Sequence, residues 1–346
     1  MIAYETNGTN FPGVKRPDGM NESDVFAYDV LLKKPEIVSV SPYDPTPDNE
    51  SVYPKISADG NYVVYFSLAH NLIAEDLNQK NEYYITHLPT KLTKLVTVGL
   101  DGKSGFQPSN SSYDRRASLS GDGKYVCFVS NSTLLTPEGT GGVFVRDMVE
   151  GITKLVSINS VGKPETGEYE SPQISDDGRY ILFTSSSTLV PNPPHPWSIY
   201  IHDCQTEKTE VVPLSSQEGN SRRNLARGAI ALSANGRYVA FCSGELLTDF
   251  GYNTKSWYPN QLYRYDRETG ETRFLLKVTS LRNPDIINDT HYPYFDNQLA
   301  ITPDGKTIVF STNADDLVPE DTNSISDVYA LDIEDSTSAV QDWSVR

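Results

Sequence analysis

Ile56-Ser57-Ala58-Asp59-Gly60, followed by the run Tyr62-Val63-Val64-Tyr65-Phe66-Ser67, is the stretch that decides the fold. It consists of a hydrophobic residue, Ser or Thr, any residue, Asp or Asn, and Gly, and a β-rich run follows. Four further copies begin at Leu119, Ile174, Leu232 and Ile301. Asp-Gly or Asn-Gly between two apolar runs is a strong hairpin signal, because both residues tolerate the positive φ of a type I′ turn. The pattern therefore predicts five tight β-hairpins.

Each hairpin is followed by two more short apolar runs. In the repeat around Asp59-Gly60, strands are predicted at 54–57, 62–67, 83–87 and 94–98. Four short antiparallel strands in a unit of about 50 to 60 residues are typical of a β-propeller blade. The N-terminal part carries a partial copy, with predicted strands at 2–4, 25–29 and 37–40 but without the Asp-Gly hairpin.

The repeat therefore predicts an all-β fold: a six-bladed β-propeller of four-stranded antiparallel blades, whose first blade lacks its own innermost strand. One domain covers 1–346, with blades at about 1–46, 47–104, 105–164, 165–219, 220–284 and 285–346. The segment 340–345 has two interpretations. It either completes the first blade or forms the outer strand of the last one.

The Ser-x-Asp-Gly-x-Tyr-Val-x-Phe run is followed by a strand ending in Asp and then by a turn such as Asp266-Arg267-Glu268-Thr269-Gly270. Together with the stretch 313–332, this pattern resembles the TolB-like, WD-like (WD40-like) β-propeller repeat family. The resemblance covers nearly the whole chain and implies a propeller. It implies no single activity, since propellers of this family include protein-binding, peptide-gating and glycan-handling members.

The charge of the chain narrows the classes of partner. With 46 Asp and Glu against 29 Lys and Arg, the net charge is −17. A chain this acidic repels phosphate backbones and anionic membranes, so nucleic acid is not an expected partner. No apolar run is long enough for membrane insertion, and we expect a soluble monomer. The first residues do not resemble a signal peptide, so the compartment stays open: cytoplasmic, or secreted or periplasmic if a leader has been removed.

Binding residues are expected where the connections between strands are long. The hairpin turns are expected to be two residues long, so the face on which they open should be plain, and the longer loops open on the opposite face. Aligning those loops by their Asp-Gly turns brings twelve candidates to the mouth of the central tunnel. They are Tyr53, Lys55, Arg115, Arg116, Tyr169, Glu170, Arg222, Arg223, Arg227, His291, Tyr292 and Asp296.

These residue types suit an anionic or polar ligand. Guanidinium groups pair with carboxylates or phosphates, and Tyr rings stack on sugars or peptide side chains. The alternative is that they form salt bridges between blades or lie on solvated loops.

Two sets of acidic residues lie apart from the tunnel-mouth candidates. Asp321, Asn323 and Asp327 offer oxygen ligands of the kind that calcium prefers, although the favoured interpretation is that such residues cap turns. An Asp also ends the third strand of five blades, at 29, 147, 203, 266 and 332. A catalytic residue is not needed five times, so we expect these carboxylates to cap turns.

No catalytic motif stands out. There is no Gly-x-Ser-x-Gly and no metal-binding spacing of His, so no catalytic residues and no cofactor besides the calcium candidate are predicted. The favoured function is a non-catalytic scaffold that binds a protein or peptide through the long-loop face and tunnel mouth. The alternative is a carbohydrate-active enzyme or lectin, in which Glu170 and Asp296 could form a carboxylate pair.

Overall fold

The computed structural model describes residues 1–8, 22–40, 47–73, 81–103, 105, 116–191, 193, 197–213, 225–243, 261–278, 295–314, 317, 326–333 and 343–345. At 225–228, 296–298 and 343–345 only the backbone is described. The chain divides into two compact units, the first comprising 1–183 with 202–209 and the second comprising 184–201 with 210–346.

The first sheet has three antiparallel strands, and the next two have four each. The first consists of β1 Ile2–Thr6, β2 Asp24–Asp29 and β3 Lys34–Ile37. The second consists of β4 Ser51–Ile56, β5 Tyr62–Ser67, β6 Glu82–His87 and β7 Leu92–Leu95. The third consists of β8 Ser118–Leu119, β9 Tyr125–Ser130, β10 Gly142–Asp147 and β11 Ile152–Leu155.

The remaining three sheets also have four strands each. The fourth consists of β12 Tyr169–Ile174, β13 Tyr180–Ser185, β14 Ser198–Asp203 and β15 Lys208–Val211. The fifth consists of β16 Leu225–Leu232, β17 Tyr238–Ser243, β18 Gln261–Asp266 and β19 Glu271–Lys277. The sixth consists of β20 Phe295–Ile301, β21 Thr307–Thr312, β22 Asp327–Asp332 and β23 Trp343–Val345.

Within every sheet the strands lie side by side in chain order. The fold is a six-bladed β-propeller, and the predicted all-β class and three-stranded first blade are confirmed. Of the two interpretations of the last segment, the second is correct, because β23 pairs with β22 as the outer strand of the sixth blade. No helix long and apolar enough to cross a membrane is found among the described residues.

The apolar runs at the second position of the second to fifth blades are buried on both faces. In β5, Val64 and Phe66 join a core cluster with Phe128 of β9, whereas Val63 and Tyr65 join a second cluster. Successive side chains of a strand point to opposite faces, so a strand enclosed on both sides needs a nearly continuous apolar sequence. This explains why Tyr-Val-Val-Tyr-Phe lacks the polar alternation of a half-exposed strand.

The hairpin turns differ from the type I′ geometry that the sequence predicted. Only the glycine of each turn has a positive φ, as at Gly60 with 73°, and the preceding Asp or Asn does not. The Ser57 hydroxyl donates to Asp59 at 2.5 Å and accepts from the Tyr62 backbone N–H at 2.9 Å. Gly60 N–H also donates to the Ser57 carbonyl at 2.9 Å. These bonds favour a longer turn in which the side chains of Ser and Asp replace backbone partners.

The same glycines allow neighbouring sheets of the first unit to approach closely. A Cβ on Gly123 would lie less than 3.0 Å from the ring of Tyr62, and one on Gly178 equally close to the ring of Tyr125. Gly121, just before the third-blade turn, donates its backbone N–H to the Asp176 carbonyl at 2.9 Å. The repeated motif is therefore a joint between blades as well as a turn.

The Asp residues that end the third strands cap turns, as expected. Asp29 Oδ1 accepts from the backbone N–H groups of Leu31 and Leu32 at 2.8 and 3.0 Å, which lowers the pKa of this carboxyl. Asp203 accepts from Gln205 at 2.9 Å and is paired with Arg179 at 2.8 Å. The hydrogen bond from Arg179 is the main reason why the pKa of Asp203 lies well below its ordinary value. The turn after Asp332 lies outside the described residues.

Candidate functional site

Two of the predicted basic residues lie close together in the first unit. Lys55 is on β4, the first strand of the second blade, and the residue as a whole is exposed although protein atoms crowd its ammonium group. Arg116 lies two residues before the first strand of the third blade and is half-buried. The pKa of Lys55 is lowered, chiefly because surrounding protein removes water from its ammonium group, and additionally by the positive charge of Arg116. No carboxylate is paired with Lys55 among the described residues.

Tyr53 lies on the same strand in an unusual backbone conformation. Its φ is 56°, and the register between β4 and β5 shifts between Val52 and Lys55. Its backbone N–H donates to the Glu5 carboxylate at 2.5 Å. The bulge changes the direction in which the following side chain points, and bulges of this kind often lie next to binding sites. Ser171 on β12, at the same distance before its turn glycine, has a φ of 55°.

Tyr169 and Glu170 are too buried to contact a ligand directly. Tyr169 is 5% exposed and its hydroxyl donates to the Glu165 carbonyl at 2.6 Å. Glu170 is 1% exposed. The structure thus places both residues inside the fourth blade, and solvent reaches the Lys55 side chain far more readily.

The other candidates are not described as side chains. Arg115, Arg222, Arg223, His291 and Tyr292 lie outside the described residues. Arg227 and Asp296 lie on β16 and β20, where only the backbone is described.

The calcium candidates are only partly described. Asp321 and Asn323 lie outside the described ranges, and Asp327 begins β22 opposite Thr312. Among the described residues, no group of three or more His, Cys, Asp or Glu is placed to hold a metal ion. Calcium binding stays a prediction.

A cleft of about 900 Å³ in the first unit was not predicted from the repeats. Its walls include the outer strand β11, the turn Asp177–Arg179 and the turn that follows β14. The plain face that we expected therefore carries a concave surface at this point. The sequence signal for this cleft is the apolar residue Ile152 on an outer strand. In the structure Ile152 is 53% exposed.

His202 is enclosed in the wall of this cleft. It is 3% exposed, and its Nδ1 lies 3.1 Å from the Thr209 hydroxyl, which itself donates to the Ile158 carbonyl at 2.8 Å. The hydroxyl proton is therefore used, so Nδ1 carries the imidazole proton and donates. Burial lowers the pKa of His202 to about 4, although Asp203 and Glu207 oppose this shift.

The cysteines have no features of reactive thiols. Burial raises the pKa of Cys204 to about 12 and that of Cys127 and Cys242 well above the ordinary value. Since the thiolate is the nucleophile, these groups are unreactive at neutral pH.

Neither a protein-family model nor a curated protein matches this chain. Among solved structures, it is similar to TolB from Acinetobacter baumannii, with 17% identity and a TM-score of 0.48. That similarity covers 90% of this chain and 57% of that one, so the chain spans little more than half of the TolB structure.

Two further structures resemble the chain at the same level. An oligogalacturonate lyase in complex with manganese has 12% identity and a TM-score of 0.49, over 90% of this chain and 72% of that one. The β-propeller domain of the trilobed protease from Pyrococcus furiosus has 13% identity and a TM-score of 0.47, over 96% and 84%. These similarities concern the fold alone. The TolB-like β-propeller predicted from the repeats is confirmed as a fold by the six blades.

Proposed function

We propose that this chain is a non-catalytic binding propeller that takes a protein or peptide partner, and that Lys55 and Arg116 receive a carboxylate of that partner. The observation that carries the proposal is the ammonium group of Lys55, which has no ion-pair partner among the described residues and lies beside the cation of Arg116. The lowered pKa of Lys55 means that its charged form is less favoured than in water. A bound carboxylate would offset this cost, and the same anion would pair with the guanidinium of Arg116.

The overall negative charge of the chain restricts which acidic partners can reach Lys55 and Arg116. In a chain with a net charge of −17, acidic partners are repelled at long range. Lys55 and Arg116, in contrast, form a locally positive site, which can bind one anionic group at short range. We expect a peptide or protein whose acidic residue is flanked by uncharged ones.

A glycoside-cleaving alternative has less support. It needs two carboxyl groups about 5 to 10 Å apart that both reach the substrate. Glu170 is one of the two candidates, and with 1% exposure it is enclosed by the fourth blade. A glycan-binding function without cleavage stays the alternative, and a glycan array is its direct test.

A peptide library displayed on phage and selected on the wild-type protein tests the proposal. We expect recovered peptides to contain an Asp, a Glu or a free C-terminal carboxylate, and to bind the Lys55→Ala/Arg116→Ala variant about 10-fold or more weakly. The control is Lys94→Ala/Lys208→Ala, which removes the same charge from exposed positions on outer strands. Peptides without acidic groups, or equal loss in both variants, would contradict the proposal.

A further inference from the structure

The cleft beside β11 has the size of a ligand site. Its volume of about 900 Å³ is enough for a small molecule or a short stretch of peptide. The residues found in its walls lie between 125 and 179 and between 202 and 207, all within the first unit. Both stretches are described without a gap, so the polar groups of these walls can be examined one by one.

His202 provides an unused hydrogen-bond acceptor in the wall of the cleft. Its Nδ1 donates to the Thr209 hydroxyl, so Nε2 carries the lone pair of the imidazole. Because the pKa of His202 is about 4, the ring is neutral at neutral pH and Nε2 can only accept. No described residue is hydrogen-bonded to Nε2, although the side chain is buried. A buried acceptor without a partner costs free energy, which a ligand with a donor group would offset.

A second unused polar group belongs to Thr136, in the connection between β9 and β10. Thr136 lines the cleft and is 2% exposed, and its hydroxyl has no hydrogen-bond partner among the described residues. A hydroxyl can donate or accept, so it suits a ligand that donates to His202. Buried polar side chains are nearly always hydrogen-bonded. Two without a partner in the walls of one cleft therefore indicate a polar ligand.

The charged lining of the cleft is predominantly acidic. Five acidic and two basic described residues line it, which gives a net charge of −3. They are Glu138, Asp147, Glu150, Asp177, Glu207, Lys154 and Arg179. Arg179 is already paired with Asp203 at 2.8 Å. In contrast, Glu138, Glu150 and Glu207 have no ion-pair partner among the described residues. The cleft therefore favours a cation, since three carboxylates outnumber the remaining basic residue.

The carboxylates without partners lie toward both ends of β10. Glu138 belongs to the connection that precedes this strand and Glu150 to the turn that follows it. Since β10 has six residues, its ends lie about 17 Å apart. Apolar residues of the adjacent strand β11, Ile152 and Leu155, line the cleft along this length. The ligand that fits is long, with an aliphatic stem and more than one positive group.

We propose that this cleft binds an aliphatic chain that carries ammonium groups, which donate to Nε2 of His202 and pair with the carboxylates toward both ends of β10. The inference does not depend on the proposed carboxylate-binding site. Ammonium groups on methylene stems occur in free polyamines and in the lysine side chains of a peptide, so these are the two sources to distinguish. A metal ion is a poorer occupant, since no three His, Cys, Asp or Glu among the described residues are placed to hold one.

Spermidine is the probe for a free polyamine, and a Lys-Ala-Lys peptide capped at both ends is the probe for a protein segment. Nuclear magnetic resonance of the full chain with isotopically labelled histidine nitrogens follows Nε2 of His202, whose signal is assigned by its absence from His202→Gln. We expect at least one probe to move this signal from the position of a bare imidazole nitrogen toward that of a hydrogen-bonded one. Either probe would support the site, and the one that binds more tightly identifies the source.

Charge variants provide the second arm. Glu150→Gln/Glu207→Gln changes two exposed side chains of the cleft and should weaken binding of the probe about 10-fold or more. The control is Glu268→Gln/Glu271→Gln, which removes the same charge from exposed positions at the corresponding turn of the fifth blade and should bind as the wild type does. Equal weakening in both variants would overturn the proposal, because the probes would then be attracted by the acidic chain in general.

The signal of Nε2 provides two further outcomes that would overturn the proposal. If neither probe moves it, the cleft does not bind ammonium groups at His202. If Nε2 already has the signal of a hydrogen-bonded nitrogen in the protein alone, another part of the chain fills the cleft. The Lys55→Ala/Arg116→Ala protein should bind the probes as the wild type does, so a failure here is distinguishable from a failure of the proposed function.

Discussion

His202 combines a buried imidazole with a fixed tautomer. The Thr209 hydroxyl donates to the Ile158 carbonyl, so it can only accept from the imidazole. A proton added to Nε2 would place a charge on a side chain that is 3% exposed, and burial for this reason lowers the pKa of His202 to about 4. The acidic neighbours Asp203 and Glu207 oppose this shift, because they stabilise the charged form of the imidazole.

This arrangement predicts a loss of stability on mild acidification. In the unfolded chain the pKa of His202 returns to its ordinary value of 6.5, so the unfolded chain binds the proton first as the pH falls. The contribution of His202 is fully present above about pH 6.5 and is lost as the pH falls toward 4, by about 3 kcal/mol at most. His202→Gln should flatten the fall in the free energy of unfolding between pH 7 and 5, measured by urea denaturation.

The control for this prediction is His70→Gln, a half-buried histidine that lies 3.8 Å from Asp48. A change of slope that occurs in His70→Gln as well would not be specific to the burial of His202. The same slope in the wild type and in His202→Gln would contradict the role assigned to the buried imidazole.

At the scale of the element, two of the first strands contain strained positions. Tyr53 and Ser171 both lie in the left-handed region, with φ of 56° and 55°. A side chain in this region costs about 1 to 2 kcal/mol relative to a right-handed conformation. In addition, Ser171 is 5% exposed and its hydroxyl has no hydrogen-bond partner among the described residues.

Ser171→Gly is therefore expected to stabilise the fold by about 1 kcal/mol. Glycine adopts a positive φ without strain, and the substitution removes a buried hydroxyl that is not hydrogen-bonded. These gains exceed the greater flexibility of glycine in the unfolded chain, which costs about 0.5 to 1 kcal/mol. Thermal and urea denaturation measure the difference.

Ser118→Gly is the matched substitution on the corresponding strand β8. Ser118 has no positive φ, and its hydroxyl accepts from the Ile174 backbone N–H at 3.4 Å. The change should destabilise the protein by about 1 kcal/mol. If both variants are destabilised, the positive φ of Ser171 carries no strain.

The strands themselves could be predicted from the sequence, but the bulges could not. The run from Tyr62 to Ser67 has the length and composition of a buried strand, and β5 has those bounds. The outer strand predicted at 94–98 instead begins at Leu92, because Lys91 ends the preceding turn with a φ of 57°. The positive φ of Tyr53 and Ser171 has no signal in their residue types, whereas Lys91 holds the turn position at which Gly151 and Gly270 have a positive φ in other blades.

At the scale of the whole molecule, the number of blades could be read from the repeats because each turn motif recurs once per full blade. The candidate site could be predicted only in part. Lys55 and Arg116 are brought close together, as predicted, whereas Glu170 is buried. The burial could not be predicted, because alignment by turn glycines gives the position of a residue along its strand but not its exposure. What the repeats do not reveal is how one blade holds the next.

The joint between blades predicts coupling between neighbouring sheets. Gly123→Ala should cost about 3 kcal/mol, since it combines a positive φ of 69° with overlap between the new methyl group and the Tyr62 ring. Gly162→Ala should cost only about 1 kcal/mol, because its φ is 76° but nothing lies within 4 Å of the added Cβ. Urea denaturation of both variants separates backbone strain from contact between blades.

A double-mutant cycle then tests whether the contact is specific to adjacent blades. In a Tyr62→Ala background the ring is gone, so Gly123→Ala should cost only about 1 kcal/mol, giving a coupling of about 2 kcal/mol. Gly178→Ala, whose Cβ would meet Tyr125 instead, should keep its full cost in that background. Absence of coupling between Tyr62 and Gly123 would mean that the glycine serves the turn alone. The coupling expected here would instead make stability depend on successive nearest-neighbour contacts, as in other repeat proteins.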